Sequence, residues 1–208
     1  MRNTWESAEK AEQFLARADT FPRRHEGEDV LVGDLAGVLP GRILDLGCGD
    51  GRIAARLLDA YPESEAVCLD LSQTMLDAAA RRFAGDDRVT FVLHRLDDVM
   101  PVRGPFDAVV SSLAIHHVTD ARKQELDAEI LELLVPGGIF ANLDVMASPT
   151  EKLHQQWRVE MGVGDDRSDT LRDMPSQLGW MSDAGLEHVD CIWKWRSLAL
   201  LRGERPEN

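Results

Sequence analysis

Residues 43–52 read ILDLGCGDGR, and this stretch decides the fold of the 208-residue chain. A short aliphatic strand runs directly into a GxGxG turn, and a helical pattern begins at Arg52. Glycine suits such a turn because the absence of a Cβ lets the backbone turn sharply and lets a ligand approach it closely. In doubly wound α/β folds, ligands bind outside the carboxyl ends of the strands, where turns of this kind lie. The stretch therefore predicts a strand, a ligand-binding turn and a helix of an α/β sheet.

Further along the chain, short aliphatic segments alternate with helical patterns. The expected strands are residues 42–46, 66–69, 89–94, 106–111 and 139–145. The expected helices are residues 52–60, residues 72–84 with Ser72 as the cap, and an apolar stripe around 126–134 that ends at Pro136-Gly137-Gly138. Such alternation implies right-handed crossovers and a parallel sheet that is covered on both faces. We therefore expect a doubly wound α/β domain.

The two ends of the chain differ from this alternating core. Helices are expected from Trp5 to about Ala18, over residues 27–39, over residues 150–161 and over residues 175–184. Two closing strands are expected near residues 188–193 and 198–202. Because only a few residues join these strands, they favour an antiparallel pair at one side of the sheet.

The charge balance limits the partners of the chain. Thirty-seven acidic residues against 23 basic ones give a net charge of −14, which repels a phosphate backbone. The best basic patch, Arg23-Arg24-His25, is small and is followed by Glu26 and Glu28. We expect no nucleic-acid partner. No stretch approaches the roughly 20 apolar residues of a membrane span, and no apolar signal core follows Met1, so a cytoplasmic location is expected.

Three cysteines and the histidine spacing bear on metals and disulfides. Cys48, Cys68 and Cys191 are far apart in sequence, and each lies within or beside a predicted strand. Buried, reduced thiols are therefore expected. No CxxC pair or His-rich cluster indicates zinc, so no metal is predicted.

Acidic residues near the glycine turn indicate which kind of ligand it binds. Asp45 lies just before the turn and Asp50 lies within it, which suits a ligand with a cationic ammonium or sulfonium better than one with a pyrophosphate. The residue that would complete a dinucleotide GxGxxG is Arg52, so a dehydrogenase is the least favoured interpretation. Asp70 follows Gly51 by 19 positions, close to the interval of about 20 expected for a ribose-binding carboxylate.

At this point the chain resembles the class I S-adenosylmethionine-dependent methyltransferases, specifically their small-molecule group. Four blocks match in order: ILDLGCGDGR, CLDLSQTMLDAA, FDAVVSSLAIHHV and LLVPGGIFANLDV. The resemblance implies a Rossmann-like sheet of seven strands in the order 3-2-1-4-5-7-6, with strand 7 antiparallel and a helical lid at the N-terminus. It also implies one domain over residues 1–208, with a cap at 1–40, a cofactor-binding core at 41–146 and an acceptor side at 147–208.

The resemblance carries a set of cofactor contacts with it. Gly47, Gly49 and Gly51 would line the methionine part of S-adenosylmethionine, and Asp70 would hold the ribose. The further candidate cofactor contacts are Asp45, Cys48, Leu71, Met75, Asp97, Asp98, Ser112 and Arg17. Arg17, or the Arg23–Arg24 pair, lies in the lid and can bind a carboxylate. The product would be S-adenosylhomocysteine.

One block departs from the family pattern. After strand 3 the family usually carries an acidic residue that receives the adenine amino group, and here Arg95 occupies that position. Arginine cannot accept a hydrogen bond. Either Asp97 or Asp98 takes over this contact, or the backbone alone reads the base.

His116 and His117 follow strand 4, which in this fold ends beside the transferred methyl group. Either histidine could remove a proton from an acceptor amine, hydroxyl or thiol. Alternatively, the pair shapes the loop and contacts the cofactor, since direct displacement needs mainly alignment and desolvation. Further acceptor-side candidates are Asn142, Asp144, Gln156, Trp157, Trp193 and Trp195, although the last two could instead pack against the helix at Trp180.

The expected function is methyl transfer to O, N or S of a small-molecule acceptor by a monomer or homodimer. A related enzyme that makes a carboxylated form of the cofactor would need an arginine near the methyl group, for which Arg196 is the candidate. A cofactor-binding protein without catalysis also keeps the glycine turn and Asp70, because binding and transition-state stabilisation are separate properties.

Overall fold

The computed structural model describes residues 7–162, 164, 166 and 168–207. Among these residues the helices are α1 (Ala8–Leu15), α2 (Arg24–Asp34), α3 (Arg52–Ala60), α4 (Gln73–Arg82), α5 (Asp120–Leu133), α6 (Glu151–Met161) and α7 (Met174–Asp183). The strands are β1 (Arg42–Leu46), β2 (Glu65–Asp70), β3 (Val89–Leu93), β4 (Phe106–Ser112), β5 (Leu134–Val145), β6 (Glu187–Trp195) and β7 (Leu198–Glu204). Short 3-10 turns follow α1, α2 and β4.

The seven strands form one sheet in the order β3-β2-β1-β4-β5-β7-β6. Strands β1 to β5 are mutually parallel, and β7 runs antiparallel to both β5 and β6. The predicted strand order and the antiparallel seventh strand are thus confirmed. The chain leaves β1 toward β2 on one side and returns to β4 on the other, so the strand order reverses between β1 and β4. Clefts form at the carboxyl ends of strands where the order reverses in this way.

The central strands of the sheet are buried on both faces, as a parallel sheet with crossover helices requires, whereas the edge strands β3 and β6 are partly exposed. Successive side chains of a strand point to opposite faces. On β1, Leu44 packs in a core cluster with Leu126 and Ile130 of α5. Its neighbour Ile43 packs on the other face in a cluster with Leu31 of α2 and Leu57 of α3. The glycine turn after β1 is therefore mounted on a strand that is held from both sides.

Three predicted boundaries need correction. The second helix begins at Arg24 rather than residue 27, and it ends at Asp34 before a 3-10 turn at Leu35–Gly37. Strand β5 begins at Leu134 rather than residue 139, so α5 ends at Leu133, before Pro136-Gly137-Gly138. The register with β4 shifts in this stretch, where the extra residues are accommodated. The predicted first helix starts at Trp5, which lies outside the described residues; α1 begins at Ala8.

No helix among the described residues is both long and apolar enough to cross a membrane. The three cysteines carry free thiols, with Cys48 and Cys68 buried and Cys191 half-buried.

Candidate active site

A cleft of about 730 Å³ opens at the carboxyl ends of β1 to β4. The loops that follow these four strands supply most of its lining, and Phe14 of α1 and Arg24 of α2 close it from above. Eight of the predicted cofactor residues line it: Gly47, Cys48, Gly49, Asp70, Leu71, Met75, Asp97 and Ser112. We call this the first cleft.

The glycine turn makes the floor of the first cleft. Gly47 has φ +67°, and a Cβ there would lie 2.2 Å from the Cβ of Ala114 in the loop after β4. The two loops can therefore meet only if residue 47 has no side chain. Gly49 has φ +55°, and no atom lies within 4 Å of the position that a Cβ would occupy there. At Gly49 the backbone conformation, and not space, favours glycine.

Asp70 joins the glycine turn to the end of β2. Its Oδ2 accepts the backbone N–H of Gly49 at 2.9 Å, and its Oδ1 accepts the N–H of Ser72 at 2.8 Å. Burial raises the pKa of Asp70, while these backbone hydrogen bonds oppose the rise. Each carboxylate oxygen has a second lone pair, so the group keeps the capacity to accept two ribose hydroxyls. Ser72 occupies the N-cap position of α4, but its side chain makes no capping hydrogen bond, contrary to the sequence argument.

A buried cluster of charges holds Arg24 at the edge of the first cleft. Glu28 is fully buried, and its carboxylate lies 2.8 Å from Nε of Arg24, 2.9 Å from Nε of Arg52 and 3.0 Å from Nη1 of Arg56. Nη2 of Arg24 donates to Oγ of Ser112 at 3.3 Å, while Nη1 is buried with no hydrogen-bond partner among the described residues. Burial lowers the pKa of Arg24 from its usual value. The guanidinium is therefore a positioned cation with donor capacity left for an anionic ligand.

The other two lid arginines lie elsewhere. Arg23 is exposed and pairs with Glu26 at 2.7 Å. Arg17 lines a neighbouring cleft rather than the first one. The sequence contains one local signal for Arg24: Glu28 follows it by four residues, a spacing that brings opposite charges together on a helix.

Three predicted cofactor residues are near the first cleft without lining it. Asp45 is 1% exposed under the glycine turn, and neither carboxylate oxygen has a hydrogen-bond partner among the described residues. Burial and the nearby charge of Asp70 raise the pKa of Asp45 to about 8. Gly51 packs against Phe83, whose Cε2 would lie 2.6 Å from an added Cβ. Asp98 follows Asp97 in the chain, and only Asp97 of the two lines the first cleft. Their roles as cofactor contacts stay predictions.

The loop after β3 contains the candidate contacts to the adenine base. Asp97 lines the first cleft, and one of its oxygens lies 3.3 Å from Nη2 of Arg95. The carbonyl of Leu96 already accepts Nε of Arg122 at 2.7 Å, which reduces what the backbone can offer a base. His94 also lines the cleft, and its Nε2 is buried without a hydrogen-bond partner among the described residues. Sequence reasoning missed His94.

A second cleft of about 1,410 Å³ adjoins the first. The two clefts share the lining residues Phe14, Leu113 and His117. Much of the rest of the second cleft comes from α1 and residues 17–21, from α6, from the turn that contains His116, and from the segment around Asp169. Sequence reasoning placed the acceptor side in residues 147–208 but did not single out Asp169.

His116 is held by a carboxylate. Its Nδ1 lies 2.5 Å from Oδ1 of Asp144, and its backbone N–H donates to Oδ2 of the same residue at 2.8 Å. Burial lowers the pKa of His116, but the charge and the hydrogen bond of Asp144 outweigh it and place this pKa above the usual value. Burial and the neighbouring His116 lower the pKa of His117 to about 3, so His117 is neutral near pH 7. Asp144 is thus a positioning residue for the predicted candidate His116.

The remaining acceptor-side candidates lie outside the two clefts, as far as the described residues show. Trp193 packs against Gly27 of α2, and Trp195 lies between Arg23 and Arg196. Trp180 instead lies against Arg172. Arg196, the candidate of a carboxylated-cofactor enzyme, pairs with Glu160 at 2.8 Å. Also outside the clefts are Gln156, Trp157 and the buried Asn142.

The chain is similar to known methyltransferases. Residues 43–138 match the model of a family described as a methyltransferase domain. A demethylmenaquinone methyltransferase from Clavibacter sepedonicus is 42% identical over 127 residues, which are 61% of this chain and 50% of that protein. A trans-aconitate 2-methyltransferase from Acidovorax sp. is 32% identical over 143 residues, 64% of this chain and 52% of that protein.

The chain is also similar to a ribosomal RNA methyltransferase and to a solved methyltransferase structure. A ribosomal RNA small subunit methyltransferase C from Shewanella loihica is 34% identical over 125 residues, 57% of this chain and 35% of that protein. The chain spans about half the length, or less, of these relatives. The structure of human N-acetylserotonin methyltransferase in complex with S-adenosylmethionine has a TM-score of 0.71 at 18% identity, covering 97% of this chain and 57% of that one.

Proposed function

Because residues 43–138 match the model of a methyltransferase domain, we propose that the chain is a class I methyltransferase that transfers a methyl group from S-adenosylmethionine to a small-molecule acceptor. One observation carries the proposal: two clefts meet at Phe14, Leu113 and His117. Displacement at a methyl carbon requires donor and acceptor to approach each other in line. In this proposal the cofactor occupies the first cleft, the acceptor occupies the second, and these three residues surround the point of transfer.

The residues of the first cleft fit the cofactor chemically. Asp70 has acceptor capacity for the ribose hydroxyls, and Arg24 has donor capacity for the methionine carboxylate. The turn at Gly47 lets the backbone come close to the methionine part. Asp97 or His94 then faces the base. The sequence offered Arg17 or the Arg23–Arg24 pair for this carboxylate, and we assign it to Arg24, because Arg24 lines the first cleft and Arg17 lines the second.

When bound, S-adenosylmethionine supplies an electrophilic methyl group on a sulfonium sulfur. The chain's own residues align and dehydrate the reacting atoms. Phe14 and Leu113 present apolar surface where the clefts meet, which excludes water from the point of transfer.

Three observations support a small molecule as the acceptor. The chain carries a net charge of −14, which disfavours a nucleic acid. The second cleft has a volume of about 370 Å³ once open solvent is left out, within the range of about 300–1,000 Å³ for small-molecule sites. Two of the similar proteins are named for demethylmenaquinone and trans-aconitate. Arg17, Arg158 and His154 on its wall would favour an acceptor with a negative or ionisable oxygen.

A methyl-transfer screen with isotopically labelled cofactor tests the proposal. Acceptors would include di- and tricarboxylic acids, hydroquinones and phenols, amines, thiols and ribosomal RNA. We expect label in one small-molecule class, with one S-adenosylhomocysteine formed per methyl group transferred. Label in RNA and in no small molecule would contradict the choice of acceptor. Mass analysis of the recovered cofactor in the same samples would detect a carboxylated form.

A further inference from the structure

Three side chains with metal-ligand atoms converge on the wall of the second cleft. They are His116 and His117, in the turn after β4, and Asp169, which lies 52 positions after His117 in the chain. One ligand atom from each lies within 4.8 Å of the others. We propose that these three residues bind a divalent transition-metal ion beside the acceptor. Metal binding itself does not depend on the proposed function.

The distances from Asp169 to the two imidazoles suit ligands that share one ion. Oδ1 of Asp169 lies 3.7 Å from Nε2 of His116 and 3.4 Å from Nδ1 of His117. A direct N–H···O hydrogen bond is about 2.9 Å long, so both separations are longer than such a bond. Two ligands of a tetrahedral ion with bonds of about 2.1 Å lie about 3.4 Å apart. The observed separations are close to that value.

The orientation of His116 suits a ligand rather than a surface histidine. Asp144 is buried and lies 2.5 Å from Nδ1 of His116, so in the neutral ring the proton sits on this nitrogen and the lone pair is on Nε2. Metal-binding histidines almost always donate their other N–H to a carboxylate, a carbonyl or water. Asp144 is itself held by the backbone N–H groups of His116 and Val145, each at 2.8 Å. The ring is therefore positioned before any ion arrives.

The surroundings of the triad are acidic and partly shielded. The side chains of His116 and His117 are 11% and 10% exposed, and that of Asp169 is 29% exposed. Ser168 Oγ lies 3.2 Å from Nδ1 of His117 and donates to Asp166 at 2.6 Å. Two cations also lie near the triad: Lys10 pairs with Asp166 at 2.6 Å, and the buried Lys123 acts on His116. A dipositive ion would therefore meet carboxylates that are only partly neutralised.

The ligand set limits the kind of ion. Two imidazoles and one carboxylate suit Zn²⁺, Co²⁺, Fe²⁺ or Ni²⁺, whereas Mg²⁺ and Ca²⁺ prefer oxygen ligands. Sites with three protein ligands keep a position open for water or substrate, unlike structural sites with four. Because the triad lines the second cleft, that open position faces the acceptor.

A consequence for the chemistry rests on the proposed function. An acceptor hydroxyl bound at the open position would lose its proton to solvent at a lower pH, because a bound cation lowers the pKa of its oxygen ligands. The oxygen lone pair then forms the bond to the methyl carbon. The electrons of the broken carbon–sulfur bond return to sulfur, which leaves neutral S-adenosylhomocysteine. The acceptor class is thereby a molecule with an ionisable oxygen.

Metal binding can be measured on the full, untagged chain after chelator treatment and dialysis. Calorimetric titration with Zn²⁺ and with Co²⁺ gives the stoichiometry, and the visible absorption of bound Co²⁺ reports nitrogen and oxygen ligands in a low-coordinate site. We expect one ion per chain. Asp169→Ala removes a ligand and should abolish the Co²⁺ bands, while Asp144→Asn should weaken binding by about 10–100-fold.

His154→Ala is the matched control, because His154 lines the same cleft outside the triad. Its metal affinity should equal that of the wild type. Wild-type protein that binds neither ion, or an Asp169→Ala variant that binds both as well as the wild type, would overturn the proposal. Circular dichroism and S-adenosylmethionine binding of each variant show whether it folds. Asp169 lies outside the first cleft, so Asp169→Ala should lose the metal ion and still bind S-adenosylmethionine. Failure of metal binding can therefore be distinguished from failure of the proposed cofactor binding.

Discussion

The carboxylate of Asp70 accepts the backbone N–H of Gly49 at 2.9 Å, so one side chain at the end of β2 is tied to the glycine turn after β1. A second hydrogen bond, from the N–H of Ser72 at 2.8 Å, fixes the same carboxylate on its other oxygen. The candidate ribose contact is therefore also a brace for the turn that would hold the methionine part. Both the binding of the cofactor and the conformation of the glycine turn should therefore depend on Asp70.

Asp70→Ala should weaken S-adenosylmethionine binding strongly, because the variant loses two charge-assisted hydrogen bonds to the ribose and the brace at Gly49. Hydrogen bonds to charged groups contribute about 1.5–3 kcal/mol each, so a loss of at least about tenfold is expected. Calorimetric titration measures it. Asp87→Ala, on the exposed loop before β3, is the control and should bind like the wild type. Equal affinity of the two variants would exclude Asp70 from the site.

Arg24→Met should weaken S-adenosylmethionine binding by about 10–100-fold, the value of one hydrogen-bonded charge. Arg17→Met should leave cofactor binding unchanged, because Arg17 lines the second cleft. Decarboxylated S-adenosylmethionine sharpens the comparison, since it lacks the group that Arg24 is proposed to bind. It should bind the wild type and Arg24→Met with similar affinity. A large additional loss with this analogue would contradict the assignment.

Gly47→Ala should destabilise the fold more than Gly85→Ala. Both glycines have positive φ, +67° and +84°, so alanine costs about 1–2 kcal/mol at either position. At Gly47 the added Cβ also meets the Cβ of Ala114 at 2.2 Å, whereas nothing lies within 4 Å at Gly85. Urea unfolding compares the two free energies of unfolding. Equal losses would mean that the loops after β1 and β4 are not in contact.

Asp127 gives a pH-dependent prediction away from both clefts. Burial raises the pKa of Asp127 in α5 to about 8, against about 3.9 in an unfolded chain. Because the folded state binds this proton more tightly, its contribution to stability is full below about pH 4 and is lost as the pH rises through 8. Between pH 5 and pH 9 the free energy of unfolding of the wild type should therefore fall more than that of Asp127→Asn.

Urea unfolding at pH 5, 7 and 9 checks this difference. Asp87→Asn serves as the exposed control and should follow the wild-type curve. Parallel curves for the wild type and Asp127→Asn would show that Asp127 titrates normally in the folded chain.

The sequence was sufficient for features that depend on neighbours along the chain. The aliphatic run into GxGxG predicted β1, its turn and α3, since a strand, glycines and a helix pattern are local signals. The interval to Asp70 and the four ordered blocks predicted the sheet order and eight residues that line the first cleft.

Features that depend on residues distant in sequence were not predictable in the same way. Arg24 was not preferred over Arg17, because only the packing of α2 against α3 buries Glu28 and aims the guanidinium at the first cleft. Asp169 carries no local motif and meets His116 only after the chain has passed through β5 and α6. His94 stands out only once its buried nitrogen is seen.

Every assignment of a residue in the first cleft depends on S-adenosylmethionine binding there. Calorimetric titration of the wild-type chain with S-adenosylmethionine, S-adenosylhomocysteine and NADH tests this binding most directly. We predict micromolar binding of both adenosyl ligands, one per chain, with no binding of NADH. A folded chain that binds neither adenosyl ligand, or that binds NADH instead, would contradict the proposed cofactor and its site.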